Sequence, residues 1–149
     1  AEAHCGLGAA YRDSGKYEEA IESYKQAIRI TPDFAGAHGN LGYAYDELGR
    51  YKEAIKSYKQ AIEIDPDYRD AHYNLGLAYD ELGRYKEAIK SYKQVLRIDP
   101  DDVKAHFNLG LAYITLKDRG SALKQHNILK KLDTKRAKKL LGMIYTELD

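Results

Sequence analysis

The three prolines of this chain, Pro32, Pro66 and Pro100, stand 34 residues apart. Self-similarity at such a period marks a repeat architecture, in which each unit is one supersecondary motif that buries its apolar side only against its neighbours. Other punctuators keep the same spacing. Leu-Gly pairs recur at Leu7-Gly8, Leu41-Gly42, Leu75-Gly76 and Leu109-Gly110, with Tyr11, Tyr45, Tyr79 and Tyr113 three residues after each glycine. Ala20, Ala54, Ala88 and Ala122 follow, then Tyr24, Tyr58 and Tyr92, with His126 in the fourth copy. The first copy starts at residue 1, so residue number there equals repeat position.

Helical phase explains the pattern. At 100° per residue, positions 3, 4, 7, 8, 10, 11 and 14 share an arc of about 160°, the buried stripe of a first helix. In the second copy the stripe holds Ala37, His38, Leu41, Gly42, Ala44, Tyr45 and Leu48. Positions 2, 5, 6, 9, 12 and 13 form the opposite, free face. The second helix sets Ala54, Ile55, Tyr58, Ala61 and Ile62 against Lys52, Lys56, Lys59 and Glu63. Gly15, Gly49 and Gly83 suit the turn between the helices, because glycine takes positive φ without strain. Asp65-Pro66 and Asp99-Pro100 end the second helix.

The L-G-x-x-Y, A-x-x-x-Y, P pattern at this period resembles the tetratricopeptide repeat, TPR. The resemblance covers residues 1–134 and implies an all-α fold: an α-solenoid, a right-handed superhelix of helical hairpins. Repeats fall at 1–34, 35–68, 69–102 and 103–134, with a capping helix over 135–149 that carries its own Leu141-Gly142 pair and Tyr145. Nine helices in one domain are expected. His4, His38, His72 and His106 occupy the position where the family usually has Trp. The fourth copy departs furthest, with Lys117, Arg119, His126 and Thr134 at signature positions, so its second helix is expected to be the least regular.

In arrays that this sequence resembles, the first helix of each hairpin lines a concave groove that takes peptides or helices of partner proteins. Carried over by position, that face holds Asn40, Asn74 and Asn108, a regular row that suits an extended peptide backbone because an amide both donates and accepts. Local hydrogen bonding is the other reading of the same asparagines. Tyr43, Tyr73, Leu77, Phe107, Leu111 and Ile114 stand beside them as apolar anchors, or else lie shielded by the next repeat. Asp46, Glu47, Asp70, Asp80 and Glu81 add negative charge, which favours a partner segment with apolar residues and some Lys or Arg. The expected partner is a protein or peptide. A clamp for acidic chaperone tails is not expected. Its Lys, Asn, Asn, Lys and Arg positions are here Cys5, Ala9, Asn40, Asp70 and Asn74, or one repeat on, Gly39, Tyr43, Asn74, Lys104 and Asn108.

The second and third copies differ at eight of 34 positions, three of them on the free face, and residues 44–60 repeat unchanged as residues 78–94. The three free-face changes lie where packing does not choose the residue, so they locate a surface that could vary without separating selection for binding from tolerance.

Chemistry is not indicated elsewhere. The position-4 histidines lie in the buried stripe without converging thiols or carboxylates, so no metal site is expected. One cysteine, Cys5, permits no internal disulfide and has no evident histidine partner. Gly6-Leu7-Gly8 lacks the strand and third glycine of a dinucleotide loop. No catalytic residue, cofactor or enzyme activity is expected. With 24 Lys and Arg against 23 Asp and Glu, the totals suggest no polyanion binding. Residues 117–139 carry nine basic against two acidic residues, yet lack interleaved stacking aromatics, so solvation of the chain's end is preferred to nucleic-acid binding. No run approaches the ~18 apolar residues of a membrane span. The compartment stays open, with the cytoplasm as default. The chain begins at Ala1, as a piece of something longer would, and its first repeat has no cap. A homo-oligomer through that uncapped repeat, a self-assembling structural module, is the alternative function.

Overall fold

The computed structural model describes residues 1–147, and among them there are nine α-helices and no strand. The chain divides into two compact units, Ala1–Ala78 and the residues from Tyr79 onward, each described by itself. In the first unit lie α1 (Glu2–Asp13), α2 (Tyr17–Ile30), α3 (Ala35–Glu47), α4 (Tyr51–Ile64) and most of α5 (Arg69–Glu81). The end of α5 opens the second unit, followed by α6 (Tyr85–Ile98), α7 (Val103–Thr115), α8 (Arg119–Leu132) and α9 (Thr134–Glu147). None of the described helices is long and apolar enough to cross a membrane.

Each hairpin turn closes the same way. Lys16 and Arg50 donate their backbone N–H to the carbonyls of Tyr11 and Tyr45, while Gly15 and Gly49 donate to Arg12 and Asp46. This double bond is a Schellman motif, and it requires the left-handed backbone that Gly15 and Gly49 adopt at φ +72° and +69°. In the second unit Gly83 takes φ +67°, and Lys117 takes φ +59° at the equivalent place. Lys117 therefore keeps the turn at the cost of a strained conformation.

The expectation that the second helix of the fourth copy is irregular does not hold. α8 has 14 residues, the length of α2, α4 and α6. Asp118 caps it by accepting from the Ser121 N–H at 3.0 Å, and Asp133 likewise accepts from the Arg136 N–H at 2.9 Å to start α9. Carboxylate caps at these ends satisfy orphan amides and favour the helix dipole, which offsets the lost signature residues.

Small residues bring the paired helices together. Ala37, Ala44, Ala54 and Ala61 are fully buried, as is the Tyr58 ring. A Cβ at Gly42 would stand 2.6 Å from Tyr58 Cε1, and one at Gly8 equally close to Tyr24. At Gly110 the neighbour is instead Leu140 of α9, also at 2.6 Å. The C-terminal core gathers Ile114, Ala122, Leu129, Ala137, Leu140 and Ile144. His126, in the tyrosine slot, is buried and its Nδ1 meets the Ala137 carbonyl at 2.9 Å, tying α8 to α9. Ile114, expected on the free face, is thus a core residue. Leu82 and Leu116, at the stripe's last position, are exposed because they lie where the helix has already ended.

Candidate peptide-binding surface

The histidines that replace Trp fasten the turns between repeats. His38, His72 and His106 bring Nε2 to within 2.8–2.9 Å of the carbonyls of Pro32, Pro66 and Pro100, six residues upstream. A carbonyl only accepts, so Nε2 carries the proton in each. His72 and His106 are buried as expected, whereas His4 is exposed. Its phase is the same, but among the described residues no helix precedes α1 to cover it. No three metal-ligating side chains gather among the described residues.

On the first unit, the free faces of α1, α3 and α5 frame a small recess lined by Arg12, Gly39, Asn40, Tyr43, Tyr58, Tyr68, Asp70, Ala71 and Asn74. Its volume of about 180 Å³ is below the ~300 Å³ at which small-molecule pockets begin, and suits one side chain or peptide group. Two of the expected asparagines, Asn40 and Asn74, meet here. Asn40 is held between repeats: its Oδ1 accepts from Arg12 Nη1 at 3.4 Å and its Nδ2 points to Cys5 Sγ at 3.8 Å. Asn40 thus bonds locally and also lines the recess.

Five lining residues stand outside the expected set: Arg12, Gly39, Tyr58, Tyr68 and Ala71. Arg12 breaks the rule that the second and third copies carry aspartate at this position, and its guanidinium stands 5.9 Å over the Tyr43 ring while bonding Asp13. Tyr68 belongs to the turn after α4 and has no place on a helical wheel, yet its ring reaches Gly39, where a Cβ would stand 2.9 Å away. Gly39 is the residue that admits it.

The acidic residues do not act alike. Asp80 accepts a hydrogen bond from the buried Tyr92 hydroxyl, and burial raises its pKa while that hydrogen bond opposes the rise. Tyr58 sits beside Asp46, and burial followed by the Asp46 charge pushes its phenol far above the ordinary value. Asp46 and Asp80 are half-buried. They serve the helix-to-helix contact within their own repeat more than they charge the surface. Glu47 is exposed and accepts from Tyr17 Oη at 3.1 Å. Burial and then Glu47 raise the Tyr43 pKa. Asp70 pairs with Arg69 at 2.6 Å on the surface, and Glu81 is exposed. Tyr73 and Leu77 are half-buried on α5.

On the second unit, Asn108 is half-buried on α7. Phe107 and Leu111 pack in part against the C-terminal core, and Lys139 of α9 stands 5.6 Å from the Phe107 ring centre. The capping helix thus covers part of the apolar strip that the free face of α7 provides. The lysines of α4 and α6, Lys52, Lys56, Lys59, Lys86, Lys90 and Lys93, are all exposed.

A family model described as TPR repeat matches residues 8–49, 42–83 and 79–116. The chain belongs to the TPR family. Among solved structures, MamA is 34% identical over 92% of this chain and 80% of its own, with a TM-score of 0.86. A tetratricopeptide repeat protein from Parabacteroides merdae is 25% identical over 99% of this chain and 62% of its own, with a TM-score of 0.90. The first TPR of Spaghetti (RPAP3), solved with the HSP90 peptide SRMEEVD, is 27% identical over 76% of this chain and 90% of its own, with a TM-score of 0.75. No curated protein is a significant match. The all-α chain is a TPR solenoid by fold class, and such repeats form a generally non-enzymatic protein-interaction module.

Proposed function

We propose that this chain is a scaffold or adaptor that holds a peptide or helical segment of a partner protein on the free faces of α1, α3, α5 and α7, and that it catalyses no reaction. The observation that carries this reading is the recess of Arg12, Asn40, Tyr43, Tyr68 and Asn74. It offers amide donors and acceptors beside aromatic rings at the scale of one residue of a ligand, the mixture that fixes a peptide's backbone while seating a side chain. The peptide-bound TPR of Spaghetti supports the class of ligand. The acidic peptide of that complex is not carried over, because the basic clamp positions are largely absent here. Glu47, Asp70 and Glu81 instead favour a segment with apolar residues and some Lys or Arg.

The test is selection of peptides from a random displayed library on the immobilised 149-residue chain, followed by affinity measurement with Asn40, Asn74 and Asn108 all replaced by Ala. Loss of one backbone-directed hydrogen bond is worth about 0.5–1.5 kcal/mol, so the triple variant should bind at least about tenfold more weakly with its helicity unchanged. Equal affinity in wild type and variant would remove the asparagine row from the account.

A further inference from the structure

The recess of the first unit carries polar groups that the chain itself leaves unanswered. Tyr58 is fully buried in its wall, and its Oη is a buried atom without a hydrogen-bond partner. Among the described residues, the hydroxyl of half-buried Tyr68 and the carboxamide of half-buried Asn74 make no hydrogen bond either. Asn40 differs, because Arg12 and Cys5 hold its amide. The third copy shows how the buried tyrosine is ordinarily satisfied, since Tyr92 donates to Asp80. A buried polar atom without a partner is rare in folded chains. Here it stands beside two more free groups, around a hollow of about 180 Å³.

The walls narrow the chemistry of the guest. Arg12 and Asp70 both line the recess. A ligand carboxylate therefore meets Asp70, and a ligand ammonium or guanidinium meets Arg12. Either charge loses to its like what it gains from its opposite, and either costs desolvation. The bonding pattern agrees: a carboxylate only accepts and a Lys or Arg head only donates, whereas Asn74 offers donor and acceptor together and the phenols do both. A second carboxamide matches that set. It is neutral, its N–H and C=O pair with those of Asn74, and its oxygen keeps a lone pair for a phenol O–H.

We propose that the recess is a selective subsite for a glutamine or asparagine side chain of the bound segment. The guest's carboxamide pairs with that of Asn74, and its oxygen accepts from the phenols of the wall, Tyr68 foremost because it is the one open to solvent. The inference rests on the free faces being the peptide-binding surface, and adds which residue the peptide carries at this point.

Suitable probes are N-acetyl, N-methylamide forms of glutamine, glutamate, lysine and norleucine, each titrated into the whole nitrogen-labelled chain and followed at the Asn74 side-chain NH2 resonances. Capped glutamine should give saturable shifts there, with a Kd at least about tenfold below those of the other capped residues. Tyr68→Phe keeps the ring against Gly39 and should weaken capped glutamine about fivefold with circular dichroism unchanged. Asn74→Asp removes the donor and adds a charge, so it should reverse the order and make capped lysine the tighter ligand. Tyr92→Phe, in the second unit, should leave every one of these affinities unchanged.

No saturable shift with capped glutamine would overturn the proposal, as would equal or tighter binding of capped glutamate, lysine or norleucine. A glutamine preference that survives Asn74→Asp would overturn it equally, since the amide would then sit elsewhere. Failure here is separable from failure of the function proposed above. A library-selected peptide that loses affinity in the Asn40→Ala, Asn74→Ala, Asn108→Ala variant, on a chain that ignores capped glutamine, refutes the subsite and keeps the groove. A peptide indifferent to that triple variant refutes the asparagine row, whatever capped glutamine does.

Discussion

Gly42 and Gly142 occupy the same repeat position in two helices, and they should respond to alanine with opposite signs. A Cβ at Gly42 would meet Tyr58 Cε1 at 2.6 Å and Cδ1 at 2.7 Å, while at Gly142 nothing lies within 4 Å. The Tyr58 ring is fully buried, so it has no solvent to retreat into. Overpacking of this kind typically costs about 1–3 kcal/mol. Both sites are helix interiors, where replacing Gly by Ala gains up to about 1 kcal/mol of propensity. That gain is common to the two variants, so the difference between them isolates the steric term. Gly142→Ala should raise stability by roughly 0.5–1 kcal/mol, and Gly42→Ala, the same gain subtracted from the overpacking cost, should lower it by up to about 2 kcal/mol. Urea denaturation followed at 222 nm measures both. A Gly42→Ala chain at least as stable as wild type would refute the claim that close approach to Tyr58 is why glycine stands there.

The strained turn gives a second pair: Lys117→Gly should stabilise by several tenths of a kcal/mol, left-handed strain relieved less the unfolded-state entropy of glycine, while Gly49→Ala should destabilise by about 1 kcal/mol. Thermal melts check both signs. His72→Phe keeps a ring in the slot but leaves the Pro66 carbonyl without its donor, and should cost about 1 kcal/mol in urea denaturation. Asp80 should titrate above an ordinary aspartate when its carboxyl carbon is followed by NMR, and Tyr92→Phe should move it higher, because the tyrosine's hydrogen bond is what holds it down. Since its folded pKa lies above its unfolded one, this group's contribution to stability is complete below the unfolded value and is lost as pH rises through the folded one. A titration at or below the ordinary aspartate range would contradict the buried pairing.

Repeat boundaries were legible because glycine, proline and the 3.6-residue period are local signals that recur four times. α3 begins at Ala35, α5 at Arg69 and α7 at Val103, each at the first position of its repeat. What escaped the sequence depends on neighbours or on caps. His4 has the phase of a buried residue, but the covering helix comes from the repeat before. α8 lost its signature residues and stayed regular, because Asp118 satisfies an amide that a pattern of apolar positions does not register. Asp46 and Asp80 sit at the edge of the free arc, close enough to the second helix for its buried tyrosine to claim them. Tyr68 lies in a turn and entered no wheel, although Gly39 left the room it fills. Arg12 was discoverable as the one basic residue at a position where the next two copies have aspartate.

The central claim is that the first helices' free faces bind a guest while the lysine-rich second helices stay solvated. Nitrogen–proton correlation spectra recorded during titration with a library-selected peptide test it directly. The account predicts shifts concentrated at Asn40, Tyr43, Asn74, Leu77 and Asn108. Shifts centred on Lys52, Lys56, Lys86 and Lys90, with those asparagines unmoved, would contradict it.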